Sequence, residues 1–302
     1  MPSRAAGAAG SNARGAAFMV AAMACLVLND AVMKTLLAEM TWHQTLVVRG
    51  PFTIALALAL AFALDGRRAV AGLARFARNG PTALRVAAEL GATSFFLMAL
   101  HSLKLANVTA ITQTLPLLLV VGGALFLGER VGPHRWWATA AGFAGVLLIV
   151  QPGTDAFDWA AIYALASAAF MAMRDLATRT VPADVPSTAV TVLTNVAVFL
   201  FAGLFTLLAA GEAPPLPPLD AWTVLRLAMS ATFITVGFLL LVLGTRAGEA
   251  SFVAPFRYSI ILWALIAGYA LFGEVPSALE LFGAGVVAAA GLYAFFREAR
   301  AA

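Results

Sequence analysis

Arg257 is the charged residue whose setting most clearly suggests chemistry. It lies about one third of the way into an apolar stretch, residues 250–272, with Pro255 two positions before it and Tyr258 beside it. A charge near the centre of a bilayer costs about 3 kcal/mol, so such a residue is paired, faces water or has a function. A guanidinium in a confined aqueous cavity holds a carboxylate or a phosphate with two parallel hydrogen bonds. We therefore predict that Arg257 and Tyr258 bind a solute; the alternative is that Arg257 pairs with a structural acid on another helix.

Two polar residues in the first half of the chain match this pair. Thr112 and Gln113 stand 145 positions before Arg257 and Tyr258, and one helical turn before Pro116. Polar groups in membrane helices often hydrogen-bond to a neighbouring helix, so Thr112 and Gln113 either line a cavity or hold two helices together.

Other charged residues inside apolar stretches are candidates for binding, coupling or gating. Asp30 and Lys34 have the i,i+4 spacing of a salt bridge on one helix face, and the alternative is that Asp30 carries a proton. Asp175 and Arg179 repeat this arrangement. Arg49 either faces the cavity or pairs with one of two acids, Asp30 or Glu89.

Two glutamates, Glu129 and Glu274, each follow a glycine at the end of an apolar stretch. We expect them to bond backbone or basic groups and to act in gating or packing. Glu89 lies near the start of the third apolar stretch, where it is either a partner of Arg49 or a residue at the membrane interface. The predicted coupling or gating residues are thus Asp30, Lys34, Glu89, Asp175, Glu129 and Glu274.

The composition is that of an integral membrane protein. Of the 302 residues, 62% are apolar and 11% are charged, whereas soluble domains have about 45–50% and 25%. The net charge of +4 is not gathered into a stripe that would bind nucleic acid. One cysteine, Cys25, and three scattered histidines form no metal-binding pattern, so we predict no metal site. The predicted partners are the lipid bilayer and a small-molecule substrate.

Ten apolar stretches are each close to the ~20 residues that a helix needs to cross the bilayer. They lie near 15–37, 43–64, 84–103, 107–127, 133–151, 159–180, 187–209, 221–243, 250–272 and 276–296. Arginine is concentrated in alternate connections, among them residues 65–83, which predicts a bacterial inner-membrane protein with both termini in the cytoplasm. Residues 1–14 are predicted to be disordered.

The two halves of the chain resemble each other at a constant offset of 145 residues. Asn29-Asp30-x3-Lys34 matches Arg174-Asp175-x3-Arg179, and Gly128-Glu129 matches Gly273-Glu274. Each half holds five apolar stretches, and because five is odd the second half enters the membrane in the opposite sense. Inverted repeats of this kind are typical of secondary transporters, whose substrate site lies between the repeats near the bilayer midplane.

The residues of both halves are similar to those of a known family. Ala106-Asn107-Val108-Thr109-Ala110, Pro116 and Gly128-Glu129 in the first half, and Gly248-Glu249-Ala250-Ser251 with Gly273-Glu274 in the second, resemble the EamA domain of the drug/metabolite transporter superfamily. The resemblance implies an all-α membrane protein of ten transmembrane helices, in two five-helix inverted-topology repeats, residues 15–151 and 159–297, around a central cavity. It also implies no bound cofactor. The segment 254–259, with Trp263, resembles a branch that includes S-adenosylmethionine carriers, and Ile261 stands where the family's second proline is expected.

The predicted function is secondary transport of a small polar metabolite, an amino acid or a related carboxylate-bearing compound, by alternating access. The alternatives are an S-adenosylmethionine-type uptake carrier, a drug or metabolite exporter and a passive channel. An enzyme is not predicted, because no cluster of His, Asp and Glu is recognisable. Small residues at four-residue spacing in the fifth and tenth stretches suit close helix packing, including packing in a homodimer. The predicted substrate-binding residues are Arg257, Tyr258, Gln113, Thr112, Arg49 and Trp263.

Overall fold

The structure is a computed structural model that describes residues 2–66, 80–126, 128, 132–155, 157–178, 186–209, 211, 214–247 and 250–299. Within these ranges every regular element is helical, which confirms the predicted all-α class. The first half forms α1 (Pro2–Leu37), α2 (Trp42–Asp65), α3 (Gly80–Ser102), α4 (Leu105–Thr112), α5 (Leu115–Phe126) and α6 (Pro133–Val150). The second half forms α7 (Ala160–Thr178), α8 (Ser187–Leu208), α9 (Ala221–Ala247), α10 (Ala250–Val253), a 3-10 helix (Ala254–Tyr258), α11 (Ser259–Phe272) and α12 (Ala278–Ala299).

Eight helical segments in the described part of the chain are long and apolar enough to cross a bilayer. The positions of the fifth and tenth predicted spans are held by shorter apolar helices, Trp136–Val150 and Ala278–Ala294. The multi-pass character is therefore established, and the exact number of ten spans stays a prediction.

The fourth and ninth predicted spans are each interrupted at an equivalent position. Between α4 and α5 the helix breaks at Gln113, three residues before Pro116. Around Pro255 the helix tightens into the 3-10 segment that ends at Tyr258, 145 residues after Gln113. Proline lacks an N–H and clashes with the preceding turn, which explains why the α-helix is lost at both places.

The directions of the helices establish the inverted topology. Lys34, near the end of α1, contacts Leu103 and Glu274, which follow the ends of α3 and α11. These three helices therefore end on one side of the bundle, here called the Glu39 end because residues 38–41 connect α1 and α2 there. Helix α7 runs the other way, since its last described residue, Thr178, hydrogen-bonds to Arg85 near the start of α3. The opposite side is called the Asp65 end.

The main helix contacts join one half of the chain to the other. Helix α1 packs on α9 and α3 packs on α7, two pairs that the 145-residue offset exchanges, while α2 packs on α8 and α6 on α12. At the α6–α12 contact a methyl group on Gly145 would lie 2.9 Å from the Gly283 carbonyl oxygen. These small residues allow close packing of two helices within one chain, as the sequence suggested, and a contact between protomers stays a prediction.

Candidate functional site

A hydrogen-bonded group in α1, α2 and α9 is called the Asn29 cluster; it consists of Asn29, Asp30, Arg49 and Ser230. The Asn29 side-chain oxygen accepts hydrogen bonds from Arg49 at 3.0 Å and from Ser230 at 2.8 Å. The Asn29 amide nitrogen donates to Asp30 at 2.9 Å. Asn29 lies eight residues before the end of α1, about 12 Å along the helix at 1.5 Å per residue. A fixed set of one acid, one base and two neutral groups is thus held well inside the membrane-spanning part.

A second group in α3, α7 and α8 is called the Arg174 cluster; it consists of Arg85, Glu89, Arg174, Asp175 and Thr194. Arg174 donates to Asp175 at 2.8 Å and contacts Glu89 at 3.3 Å. Arg85 donates to the Thr194 hydroxyl at 2.7 Å. The charges of two acids and two bases therefore neutralise each other where α3 and α7 approach the Asp65 end.

The repeat offset relates the four members of the Asn29 cluster to four of the five members of the Arg174 cluster; the fifth, Glu89, corresponds to Ile234. Adding 145 takes Asn29 to Arg174, Asp30 to Asp175 and Arg49 to Thr194, while Ser230 corresponds to Arg85. Charged groups in the bilayer are unfavourable unless they are paired or face water, and in both clusters they are paired or hydrogen-bonded. The two halves therefore place equivalent polar groups on equivalent helix pairs, one nearer each end of the bundle.

Lys34 does not form the predicted salt bridge with Asp30. Its ammonium group pairs with Glu274 at 2.5 Å and also donates to the Leu103 carbonyl oxygen. Glu274 accepts a further hydrogen bond of 2.7 Å from the Leu105 backbone N–H, at the start of α4. The fold brings Glu274 within reach of the Lys34 side chain at the Glu39 end. Lys34 therefore pairs with this carboxylate and not with Asp30, one helical turn before it. Glu274 thus bonds both a basic group and a backbone group, as expected from the sequence.

The remaining predicted coupling residues have different outcomes. Glu89 contacts Arg174, so the predicted alternative of an Arg49–Glu89 pair is wrong. Asp175 contacts the adjacent Arg174, and its predicted partner Arg179 lies outside the described residues. Glu129 also lies outside them, and its gating or packing role stays a prediction.

Four of the predicted substrate-binding residues lie at the two helix breaks. Thr112 donates its hydroxyl to backbone carbonyl groups of its own turn, and Gln113 ends α4. Tyr258 packs with its hydroxyl against Gly291 of α12, where a methyl group would overlap it. Arg257 is exposed, and its side chain forms no hydrogen bond or ion pair with the described residues. The breaks thus bring these residues to matching positions in the two repeats, without direct bonds between them.

Of the six buried donors that have no acceptor among the described residues, three lie in α2 and α11. They are Arg49 Nε, Trp263 Nε1 and Ser259 Oγ, the last two being one turn apart on α11. A buried donor without a partner costs about 1–3 kcal/mol, so such groups mark places where a ligand or water is expected. Arg49 and Trp263 were predicted from the sequence; Ser259 was not, although it directly follows Tyr258.

A cleft of about 430 Å³ opens at the Glu39 end between the two halves of the chain. The first half contributes residues 37–42 and the end of α3, and the second half contributes Tyr163 and Pro214. Its chemically distinctive lining residues are Glu39, Trp42, His101 and Tyr163, none of which was predicted. A second cavity of about 430 Å³, between α3 and α8, is lined by apolar side chains and Thr82. Neither cavity is lined by Arg257, Tyr258, Thr112 or Gln113.

Glu39 is held at the rim of the cleft by Arg226 of α9. Two hydrogen bonds, both of 2.7 Å, join the two oxygens of the Glu39 carboxylate to the guanidinium group. The hydrogen bond from Arg226 holds the pKa of the Glu39 carboxyl below its ordinary value. Arg226 is 8% exposed, so the arginine side of this pair is buried.

Within the described residues, no group of three or more His, Cys, Asp or Glu side chains is arranged to hold a metal ion.

The comparison with known sequences agrees with this architecture. The sequence model of the EamA-like transporter family matches residues 13–151 and again residues 158–296. This chain belongs to the EamA-like transporter family. The two matches cover the two halves that the 145-residue offset relates. An EamA-family chain with this duplication is a multi-pass membrane protein, and its named relatives are transporters.

Three relatives of this EamA-family chain illustrate the range of its similarities. A riboflavin transporter of Rhizobium johnstonii is 32% identical over 216 residues, 71% of this chain and 69% of the relative. A riboflavin transporter of Vibrio cholerae is 32% identical over 180 residues, 59% of this chain and 58% of the relative. An S-adenosylmethionine uptake transporter of Rickettsia bellii is 26% identical over 199 residues, 64% of each chain. A crystal structure with 16% sequence identity superposes with a TM-score of 0.63 over 97% of this chain and 99% of the other, which shows a common fold.

Proposed function

We propose that this EamA-family chain is a secondary carrier of riboflavin or a closely similar flavin in the bacterial inner membrane. The observation that carries the proposal is the similarity to riboflavin transporters, at 32% identity over 71% of this chain in one case. The carrier has no catalytic role in this proposal. Its two repeats correspond to residues 15–151 and 159–297, and both termini lie in the cytoplasm.

The contacts between the repeats support alternating access. The Lys34–Glu274 pair ties the first repeat to the second at the Glu39 end, and the Arg174–Glu89 pair ties them nearer the Asp65 end. Rocking of one repeat against the other requires that one set of contacts loosens while the other holds. Buried donors without acceptors, on Arg49 and Trp263, offer hydrogen bonds to a solute between these ends.

The predicted amino-acid or carboxylate substrate has less support. The relatives named above carry riboflavin and S-adenosylmethionine in their names, and none of the three names an amino acid. S-adenosylmethionine uptake is the second candidate, favoured by the Rickettsia relatives and by the segment 254–259. A homodimeric assembly stays a prediction from the sequence.

Counterflow in proteoliposomes tests the proposal. Purified protein is reconstituted, loaded with unlabelled riboflavin and exposed to labelled riboflavin, with S-adenosylmethionine and glutamate loaded in parallel. A flavin carrier is expected to accumulate labelled riboflavin saturably in vesicles loaded with unlabelled riboflavin. It should not accumulate labelled riboflavin in vesicles loaded with glutamate. Flux that rises linearly with concentration indicates a channel, and counterflow with S-adenosylmethionine alone contradicts the flavin proposal.

The role of the helix breaks is tested in the same assay. Arg257→Ala is compared with Arg246→Ala, a matched change at the end of α9. If Arg257 binds the solute, its loss lowers counterflow at least about tenfold while the control transports normally. Normal transport by folded Arg257→Ala removes this residue from the site.

A further inference from the structure

We infer that the cleft at the Glu39 end binds the ring system of a neutral, planar heteroaromatic solute. The inference rests on the proposed flavin transport for the identity of the solute, and on the chemistry of the cleft for the site. The cleft lies between the repeats and has a volume of about 430 Å³, within the range of about 300–1,000 Å³ that is usual for small-molecule sites.

Tyr163, which lines the cleft, belongs to a column of stacked aromatic rings. Tyr163 is stacked on Phe95 with a centroid distance of 6.1 Å and an interplanar angle of 22°. Phe95 is in turn stacked on Phe170 at 5.5 Å and 21°. A planar solute that lies on Tyr163 extends this column by one ring, and offset stacking of aromatic rings is favourable beyond the area it buries.

Trp42 is a second aromatic residue that lines the cleft. Its ring is held at 90° to that of His43, with a centroid distance of 5.3 Å, and lies 5.4 Å from that of Phe205. These contacts fix the orientation of Trp42 before a solute arrives, so little side-chain freedom is lost on binding.

His101 gives the cleft a hydrogen-bond acceptor. Its Nδ1 lies 2.9 Å from the Leu37 carbonyl oxygen, which can only accept, so Nδ1 carries the proton. In the neutral imidazole, Nε2 is then the acceptor and suits an N–H group on the edge of a heterocyclic ring. The Tyr163 hydroxyl and Ser102 add groups that both donate and accept.

The charge of the cleft argues for a neutral solute. Among the described residues that line the cleft there is no lysine or arginine, and the one carboxylate among them, Glu39, is bound by Arg226. A solute carboxylate would find no cation to compensate its loss of water, whereas a neutral ring needs none. The lining therefore selects against the carboxylate-bearing compounds that the sequence alone suggests.

Riboflavin fluorescence tests the site directly. The purified full-length protein in nanodiscs is titrated with riboflavin, whose emission is quenched when its ring stacks on tyrosine or tryptophan. Tyr163→Leu is expected to weaken binding about tenfold. Tyr269→Leu, which removes an exposed tyrosine from α11 outside the cleft, is expected to bind as the wild type does. His101→Leu is paired in the same way with His134→Leu.

A labelling experiment keeps the test valid if a substitution unfolds the protein. In a Cys25→Ser background, Ser102→Cys places one thiol in the cleft for a maleimide reagent. Riboflavin and lumiflavin, which is the ring system without the ribityl chain, should each slow labelling at least about fivefold. Protection by ribitol but not by lumiflavin, or no protection at saturating riboflavin, overturns the inference.

The two proposals fail in different ways. Absence of riboflavin counterflow in the wild-type protein contradicts the proposed function. Counterflow that persists while Tyr163→Leu and His101→Leu bind riboflavin normally leaves flavin transport intact and removes the cleft as the ring site.

Discussion

Lys34 in the first repeat and Glu274 in the second form an ion pair at the Glu39 end, and Glu274 also accepts the backbone N–H of Leu105. Both side chains are 14% exposed. One carboxylate therefore joins the end of α11 to α1 and to the start of α4. In alternating access, opening a wider path from the Glu39 end into the middle of the bundle requires this three-way contact to separate.

Breaking this pair should favour the conformation that is open at the Glu39 end. Removing one partner of a buried ion pair leaves an uncompensated charge at a cost of about 3–5 kcal/mol, and these partners are nearly buried. In a Cys25→Ser background, Ala106→Cys reports opening, because Ala106 is 6% exposed in this structure. We expect Lys34→Met to raise its maleimide labelling rate severalfold.

Lys104→Met is the matched control for this change. Lys104 also bonds a glutamate of the second repeat, Glu280, at the same end, but it is more exposed, at 36%. Screening by water makes such a pair worth about 1 kcal/mol or less, so its loss should leave the labelling rate nearly unchanged. Equal labelling of Lys34→Met and the unmodified background would show that the pair does not hold the Glu39 end closed.

Asp30 is the acid that we expect to link transport to a proton gradient. Asp30 lies in the membrane-spanning part of α1, where its carboxylate accepts a hydrogen bond from Asn29. Among the described residues, no basic group forms a direct ion pair with it. Asp30→Asn keeps the shape and the hydrogen bond to Asn29 but cannot exchange a proton. We predict an at least tenfold loss of riboflavin accumulation driven by a pH gradient, with counterflow retained.

The control for Asp30 is Asp155→Asn, in the exposed connection between α6 and α7. It should leave both transport modes unchanged. Equal responses of wild type and Asp30→Asn to an imposed pH gradient would rule out proton coupling through this residue. Loss of counterflow together with accumulation would instead identify Asp30 as part of solute binding or folding.

Much of the fold could be predicted from the sequence, because a continuous apolar stretch of about 20 residues is enough to indicate a membrane-spanning helix. Apolar length predicted α2 at 43–64, and the structure has Trp42–Asp65; the stretch at 250–272 ends at the predicted residue. The 145-residue offset predicted the repeat and paired Asn29-Asp30 with Arg174-Asp175, whereas Ser230, Arg85 and Thr194 were recognised as their neighbours only in the structure.

The partners of the charged residues could not be predicted from the sequence, because they depend on which distant segments pack together in the fold. The i,i+4 spacing suggested Asp30 for Lys34, and the fold supplies Glu274, 240 residues away. The cleft was missed for the same reason. Glu39, His101 and Tyr163 lie in three different parts of the sequence and share no motif, so only the packing of α1, α3 and α7 brings them together.

The Glu39–Arg226 pair should make stability depend on pH in the acidic range. Because the folded-state pKa of Glu39 is lowered, the pair's contribution is complete above the unfolded pKa of about 4.3 and is lost as pH falls through the folded value. Glu39→Gln should therefore lower the melting temperature in detergent at pH 6 by a few degrees. The difference from wild type should vanish at the lowest pH at which the protein remains folded. A difference that is constant with pH would show that packing, and not charge, is what the substitution removes.

The α6–α12 contact offers a test of packing with a control only two residues away. A methyl group at Gly283 would lie 2.6 Å from the Gly145 carbonyl oxygen, whereas at Gly285 it would meet nothing within 4 Å. Gly283→Ala should destabilise the protein, because overpacking costs about 1–3 kcal/mol. Gly285→Ala should be neutral or stabilising, since alanine favours helix by up to about 1 kcal/mol. Melting of the two variants in detergent decides this: if Gly283→Ala melts at or above the temperature of Gly285→Ala, the two helices do not approach as closely as the structure places them.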